Sequence, residues 1–202
     1  MKTSLKNMVI KLSLAGLLAV SSSCSITDAQ KNDYKLQWPL DNPAVTQKFG
    51  ENKGTMYRDG HLGVDMTEYF GAPVKAAAEG VVVARGSDNC SNFEEPNCNY
   101  GFGNWIMLWH PELKVNTVYS HLEEQADKDV GLEVKQGETI GYEGGSGFQF
   151  DTGTLEQVTG DESRHHLDFM VGKFHIYTTF EDKTDFQLIE IYDPFEFLPP
   201  LK

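Results

Sequence analysis

The chain of 202 residues has few basic residues, few cysteines and no long apolar run. Its 17 lysines and arginines stand against 30 aspartates and glutamates, and the net charge is -13. Such an acidic chain is a poor partner for nucleic acid or for an anionic membrane surface. After residue 29 no pattern favours a helix of more than three turns, so the fold must be built mainly from strands.

The longest apolar run, residues 8–20, is too short for a comfortable membrane-spanning helix. It follows a basic start and precedes a short serine stretch, so residues 1–29 have the pattern of a secretory signal. Cys24 resembles the lipid-modified cysteine of a bacterial lipoprotein, although a serine stands three positions before it, where an aliphatic residue is usual. Plain secretion with cleavage after Ala29 is the alternative. We therefore expect an exported protein of the periplasm or cell envelope, with a lipid on Cys24 as its one contact with the membrane.

Three cysteines occur in the chain, and Cys90 and Cys98 remain once Cys24 is set aside. In an oxidising compartment this pair favours a disulfide. A metal site at the pair is the weaker alternative, because no second pair of cysteines or histidines lies beside it.

Short runs rich in β-branched residues, each bounded by Gly, Pro or Asn, are typical of a small all-β domain. Two hairpin-like blocks, 73–85 and 134–141, share one arrangement, and two long loops, 86–103 and 148–164, separate the strands. The predicted strands are 45–50, 74–78, 80–84, 105–109 and 117–122, followed by a hairpin of 174–180 and 186–192. This gives a signal at 1–29, a linker at 30–37, a β domain at 38–172, and a C-terminal hairpin and tail at 173–202 packed on that domain.

One segment, residues 61–65, combines two good metal ligands. As a strand it places His61 and Asp65 on one face, and the missing side chain of Gly63 leaves room for an ion between them. A helix would also align positions i and i+4. The strand is favoured because Gly60 and Gly63 are both poor helix residues.

Two later segments repeat this pattern. His166 and Asp168 alternate with apolar residues, so they share one face of a predicted strand. His121 lies in a similar strand, and Tyr119 on the same face would either line the site or pack. The remaining histidines, His110, His165 and His175, are expected to be structural.

In this order the motifs resemble the lysostaphin-type (LytM-like) zinc endopeptidases, which cut peptide cross-bridges in bacterial cell walls. The matching residues lie between Trp38 and Met170: Phe49-Gly50, His61-x-Gly63-x-Asp65, Gly71-x-Pro73-Val74-x-Ala76, Gly80-x-Val82, Gly103-Asn104, Tyr119-Ser120-His121-Leu122, Val134-x-x-Gly137-x-x-Ile140-Gly141 and His166-Leu167-x-Phe169. The resemblance implies a small antiparallel β-sheet core of the duplicated hybrid motif or barrel-sandwich type, with long loops that line a groove.

The resemblance also implies the site. His61 and Asp65 would bind one divalent metal, Zn²⁺ or alternatively Mn²⁺, and His121 and His166 would be the two catalytic imidazoles. Asp168 stands where the family has a histidine, and we take it as the third metal ligand. The stretch between residues 147 and 166 is much longer than the short glycine turn of the family.

Two functions follow from this resemblance. The first is an endopeptidase that hydrolyses peptide bonds of peptidoglycan with metal-activated water. The alternative is a degenerate, non-catalytic module that binds cell wall or regulates another cell-wall hydrolase, a possibility that Asp168 raises. A lipoyl or biotinyl carrier domain is excluded because no lysine is presented in a tight hairpin turn; Lys75 lies inside an apolar strand.

Overall fold

The structure is a computed structural model that describes residues 35–54, 59–87, 101–150, 157–159, 162–180 and 183–201. Within these ranges the strands are β1 (Ala44–Gln47), β2 (Val64–Thr67), β3 (Pro73–Lys75), β4 (Gly80–Ser87), β5 (Asn104–His110), β6 (Val115–Gln125), β7 (Glu133–Val134), β8 (Thr139–Glu143), β9 (Phe148–Phe150), β10 (Gln157–Thr159), β11 (Leu167–Phe180) and β12 (Lys183–Tyr192). The helices there are single 3-10 turns at Glu162–Arg164 and Pro194–Glu196, and neither has the length or apolar character to cross a bilayer. The cysteine pair and the signal fall outside the described residues.

Most of these strands join one antiparallel sheet. Its order is β1-β2-β11-β6-β5-β4-β7, with β12 added to β11 and β8 paired with both β3 and β6. Strands β9 and β10 form a separate pair inside the predicted loop 148–164. The structure therefore confirms the all-β antiparallel class.

The two hairpin-like blocks pair with each other rather than folding back internally. Strand β3 pairs with β8, and β4 pairs with β7. The turns between them are joined as well: the N–H of Ala76 donates to Glu138 (2.8 Å), and the N–H of Gly137 donates to Ala76 (2.9 Å). The two blocks of similar sequence are thus joined to each other through both their strands and their turns.

Strand β11 carries the site. It runs unbroken through the predicted site strand and the first arm of the predicted hairpin, and it pairs with β12 from Val171 opposite Tyr192 to Phe180 opposite Lys183. On one face Leu167 and Phe169 belong to the main core. On the other face Asp168 is followed by Met170, which packs in a second apolar cluster. Asp168 therefore lies on the face of β11 that packs against this second cluster, and not on the face that packs in the main core.

Candidate metal and catalytic site

His61 and Asp65 reach the site from the segment that enters β2. Asp65 lies on the strand, but His61 precedes it, so the prediction of a strand over 61–65 is wrong at its start. The reason is Gly60, which has a φ of 90° and turns the chain just before His61. A side chain does not fit at this position, because a Cβ would lie 2.6 Å from the carbonyl oxygen of Gly50. His61 is held instead by backbone hydrogen bonds, donating to Glu51 (2.9 Å) and accepting from Gly50 (2.8 Å).

Asp168 joins this pair across the sheet, because it lies directly opposite Asp65 on β2. Nε2 of His61 lies 3.2 Å from Oδ1 of Asp65 and 3.5 Å from Oδ1 of Asp168. One potential ligand atom from each residue lies within 4.8 Å of the other two. A Cβ on Gly63 would lie 2.1 Å from Oδ1 of Asp168, so the space that this glycine leaves is the space that the Asp168 carboxylate needs.

The electrostatics of the cluster are set by two buried carboxylates. Burial alone would lower the pKa of His61, but contact with Asp65 and the charges of both aspartates raise it to about 9. Burial raises the pKa of Asp168 to about 6, and the charge of Asp65 adds to the effect against the attraction of His61. Burial also acts to raise the pKa of Asp65, yet His61 and the neighbouring imidazoles hold it below its usual value. The cluster thus gathers negative charge where solvent cannot screen it, which favours a cation.

These three residues fit a divalent metal ion. Oδ1 of Asp168 is fully buried and has no hydrogen-bond partner in the described part of the chain, and Oδ1 of Asp65 faces His61 without a well-aligned hydrogen bond. Buried oxygens of this kind are rare unless something satisfies them. One imidazole nitrogen and two carboxylate oxygens are a ligand set that zinc accepts, and the oxygen-rich part also suits manganese.

His121 faces the same site because β6 is bulged. Between the pairs Asn104–Leu122 and Ile106–Tyr119, β6 has one residue more than β5, and His121 has a φ of 61°. A bulge re-aims side chains. Ser120, opposite Asp168, and His121 therefore both lie on the site face. Tyr119 lies on the other face, in the core against Phe169, so the prediction that it shares the face of His121 is wrong.

The rings of His121 and His166 contact each other, with centroids 4.7 Å apart. Nδ1 of His121 lies 2.8 Å from the carbonyl oxygen of Ser146, and Nδ1 of His166 lies 3.1 Å from that of Arg164. A carbonyl only accepts, so each Nδ1 carries the hydrogen. In the neutral ring each Nε2 then keeps its lone pair. Burial, with the nearby charge of His166, lowers the pKa of His121 to about 3, so this imidazole is neutral near pH 7.

The histidines that were expected to be structural lie elsewhere. His110 is buried in a network on the core side, where Nδ1 meets the carbonyl of Glu79 (2.8 Å) and Nε2 meets Thr117 (2.8 Å). Nδ1 of His165 meets the buried carboxylate of Glu143 at 2.6 Å. His175 is exposed on β11. None of these three joins the cluster of His61, Asp65 and Asp168.

Three residues that the motifs did not single out also surround the site. Gln47 lies opposite Asp65, and Ser120 lies opposite Asp168. Glu143 is fully buried beside the segment that carries His166. Ser120 belongs to the motif Tyr119-Ser120-His121-Leu122, and pairing this strand with that of Asp168 would have placed it at the site. Gln47 reaches its place through an irregularity of β1 that the sequence does not reveal.

The chain matches known peptidases in sequence and in fold. The model of Peptidase family M23 matches residues 59–177. The chain is 32% identical over 143 residues to the peptidoglycan DD-endopeptidase ShyC of Vibrio cholerae serotype O1, covering 69% of this chain and 28% of that protein. It is 32% identical over 120 residues to lysostaphin of Staphylococcus simulans, covering 59% of this chain and 22% of lysostaphin. The match thus spans less than a third of either relative.

A solved structure supports the same assignment. The catalytic domain of the antimicrobial peptidase lysostaphin from Staphylococcus simulans superposes with a TM-score of 0.51 and 26% identity, covering 77% of this chain and 91% of that domain. The resemblance to the lysostaphin-type endopeptidases, drawn from the ordered motifs, is confirmed. The chain belongs to Peptidase family M23.

Proposed function

We propose that this protein is an exported, metal-dependent endopeptidase that hydrolyses peptide bonds of peptidoglycan. The observation that carries the proposal is the meeting of two groups in one place: the cluster of His61, Asp65 and Asp168, and the pair of His121 and His166. Nε2 of His166 lies 4.0 Å from Oδ1 of Asp65, so the two groups are adjacent. The relatives named as a peptidoglycan endopeptidase and an antimicrobial peptidase support the substrate class.

His61, Asp65 and Asp168 would hold the metal. When bound there, a divalent cation supplies a Lewis acid that polarises water and a peptide carbonyl. The side chains of these residues are mostly buried, with exposures of 7, 13 and 11%. Such burial keeps bulk water from competing and strengthens each electrostatic contact within the site.

The two histidines would move the protons. Hydrolysis of a peptide bond needs one group to take a proton from water and one to give a proton to the leaving amine. Because Nδ1 of each ring is used by a backbone carbonyl, the proton is exchanged at Nε2. Neutral His121, whose Nδ1 hydrogen is used by Ser146, presents a lone pair at Nε2 and so suits the acceptance of a proton, and the contact of the rings places both histidines near one reacting group.

Asp168 also favours a second candidate, a module that binds cell wall or regulates another hydrolase. With two carboxylates and one imidazole, the ligands would cancel the charge of a divalent ion. These residues would then leave less positive charge to acidify water than two imidazoles and one carboxylate would. The presence of His61, Asp65, His121 and His166 in one site is the argument for the enzyme.

The test is hydrolysis of purified peptidoglycan sacculi, with release of peptide fragments followed by mass spectrometry. The wild-type protein should bind one divalent ion per chain by elemental analysis and lose activity on chelation. His121→Ala and His166→Ala should each lower the rate by about a hundredfold or more while the melting temperature stays nearly unchanged.

His175→Ala is the matched control, since it removes an exposed imidazole from the same strand as Asp168. It should keep full activity. Intact sacculi after treatment with metal-loaded wild-type protein would exclude the enzyme, and full activity with a much lower melting temperature in His121→Ala would make that residue structural.

A further inference from the structure

Four polar side chains form one row across four neighbouring strands. Gln47 on β1 lies opposite Asp65 on β2, Asp65 lies opposite Asp168 on β11, and Asp168 lies opposite Ser120 on β6. Directly opposed residues of an antiparallel pair point to the same face, with Cβ atoms about 4.5–5.5 Å apart. The row therefore has two carboxylates at its centre and a hydrogen-bond donor at each end.

The two end residues are buried, and their side-chain donors are unpaired within the described part of the chain. Gln47 is 9% exposed and Ser120 is 0% exposed. Nε2 of Gln47 and Oγ of Ser120 have no hydrogen-bond partner among the residues that the structure describes. A buried donor left unsatisfied destabilises a folded protein. Two unpaired donors beside two buried carboxylates indicate that one feature of the site explains why both donors are buried there.

The carboxylates are that feature. A carboxylate has two oxygens and about four lone-pair sites. When one oxygen binds a cation the other needs a donor, and metal-binding side chains are held in orientation by such outer hydrogen bonds. A main-chain donor could do this in a turn, but Asp65 and Asp168 lie on paired strands, where the backbone N–H groups are engaged in the sheet. Gln47 and Ser120, at the ends of the row, are the side-chain donors that lie directly opposite these carboxylates.

We propose that Ser120 and Gln47 are positioning residues for the metal site, Ser120 donating to Asp168 and Gln47 donating to Asp65. The inference rests on the metal site of the proposed function but not on hydrolysis. It also gives Asp168 a specific role: Ser120 faces the one position at which this chain departs from the ligand set implied by the resemblance. An aspartate there gains a neighbouring hydroxyl that can fix its orientation.

The experiment measures the affinity of the purified protein for Zn²⁺ and Mn²⁺ by competition with a chromophoric chelator. Ser120→Ala and Gln47→Met should each weaken binding by about 10–100-fold, the usual effect of losing an outer hydrogen bond to a ligand. Thr117→Val is the matched control, because it removes a buried hydroxyl from the same strand that serves His110 and Tyr119 on the core side. It should lower the melting temperature and leave the affinity unchanged.

A double-mutant cycle separates positioning from a general loss of structure. In the Asp168→Ala background, whose own affinity is lower, adding Ser120→Ala should cause no further loss, because the acceptor is already absent. An equal loss in both backgrounds would overturn the pairing of Ser120 with Asp168, as would unchanged affinity in Ser120→Ala. Asp65→Ala tests Gln47 in the same way.

The outcome also distinguishes this inference from the proposed function. If wild-type protein binds metal tightly but leaves sacculi intact, hydrolysis fails while the roles of Ser120 and Gln47 are still decided by the cycle. If wild-type protein binds no metal, the metal site itself and this inference are both overturned. If it hydrolyses sacculi with metal and all single variants at the row ends bind normally, this inference alone is wrong.

Discussion

Asp168 determines how much positive charge the site can keep. Together with Asp65 it would neutralise a divalent ion, and its own pKa, raised by burial to about 6, is that of a carboxyl in a place unfavourable to a second negative charge. A bound cation would offset that charge, so two carboxylates would favour metal binding. The same neutralisation would weaken the Lewis acid. Binding and chemistry therefore make opposite demands on this one residue.

Asp168→His tests that balance. The change should shift the preference from Mn²⁺ toward Zn²⁺, because imidazole is the softer ligand, and it should raise the rate on sacculi, because a neutral ligand leaves more charge on the ion. Metal affinities and hydrolysis rates of the variant and wild type are measured side by side. Asp168→Asn is the control, since it removes the charge without adding an imidazole and should not gain zinc preference.

The result also decides between enzyme and regulator. Faster hydrolysis in Asp168→His would show that the site is catalytically competent and that Asp168 only lowers its rate. Metal binding that appears only in Asp168→His, without any hydrolysis, would mean that the site no longer supports peptide hydrolysis. The regulator would then replace the enzyme as the proposed function.

At the scale of elements, the buried carboxylate of Glu143 joins three parts of the site. Its Oε1 accepts from Oγ1 of Thr67 (2.7 Å) and lies 2.6 Å from Nδ1 of His165, and its Oε2 accepts from the N–H of Glu68 (2.9 Å). The residue after it, Gly144, accepts from the N–H of His166 (3.0 Å). Glu143 thus links the end of β2, the end of β8 and the segment that carries His166.

Glu143→Ala should therefore destabilise the protein by about 1–3 kcal/mol or more, because it leaves buried donors without their acceptor. Thermal unfolding followed by circular dichroism measures the effect. Glu190→Ala is the control: its ion pair with Lys173 lies at the surface, and losing such a pair changes stability little. An unchanged melting temperature in Glu143→Ala would show that the link between these elements is not needed.

The elements also show what the sequence could predict. Alternation of polar and apolar residues was enough to place Asp168 and Leu167 on opposite faces, because each strand keeps a period of two. The same rule failed at Tyr119, since the bulge before Leu122 moves His121 to the face of Ser120. A bulge depends on the partner strand, and a single strand's residues do not contain that information. The repeated pattern marked His121 as a candidate, and the resemblance gave it the role of a catalytic imidazole.

At the scale of the whole molecule, the all-β class followed from short strands bounded by turn residues, and the antiparallel sheet followed from the resemblance. The pairing of β3 with β8 and β4 with β7 did not, because contacts between residues far apart in sequence set the strand order. Gln47 shows the same limit: it reaches the site only through the pairing of β1 with β2. Sequence motifs marked the residues of the site, and the sheet determined their neighbours.

We propose that Cys24, through a lipid, anchors the whole protein in the cell envelope. With a net charge of -13, the protein should be repelled by an anionic membrane surface, so charge cannot hold it there. A lipid on Cys24 would hold it by burying acyl chains, an interaction that salt does not screen. In a bacterial host that processes lipoproteins, the wild-type protein should stay in the membrane pellet after a wash with concentrated salt. Cys24→Ala should move to the soluble fraction. Release of the wild-type protein by salt, or retention of Cys24→Ala in the pellet, would rule out the lipid anchor and leave plain secretion, with cleavage near Ala29, as the route of export.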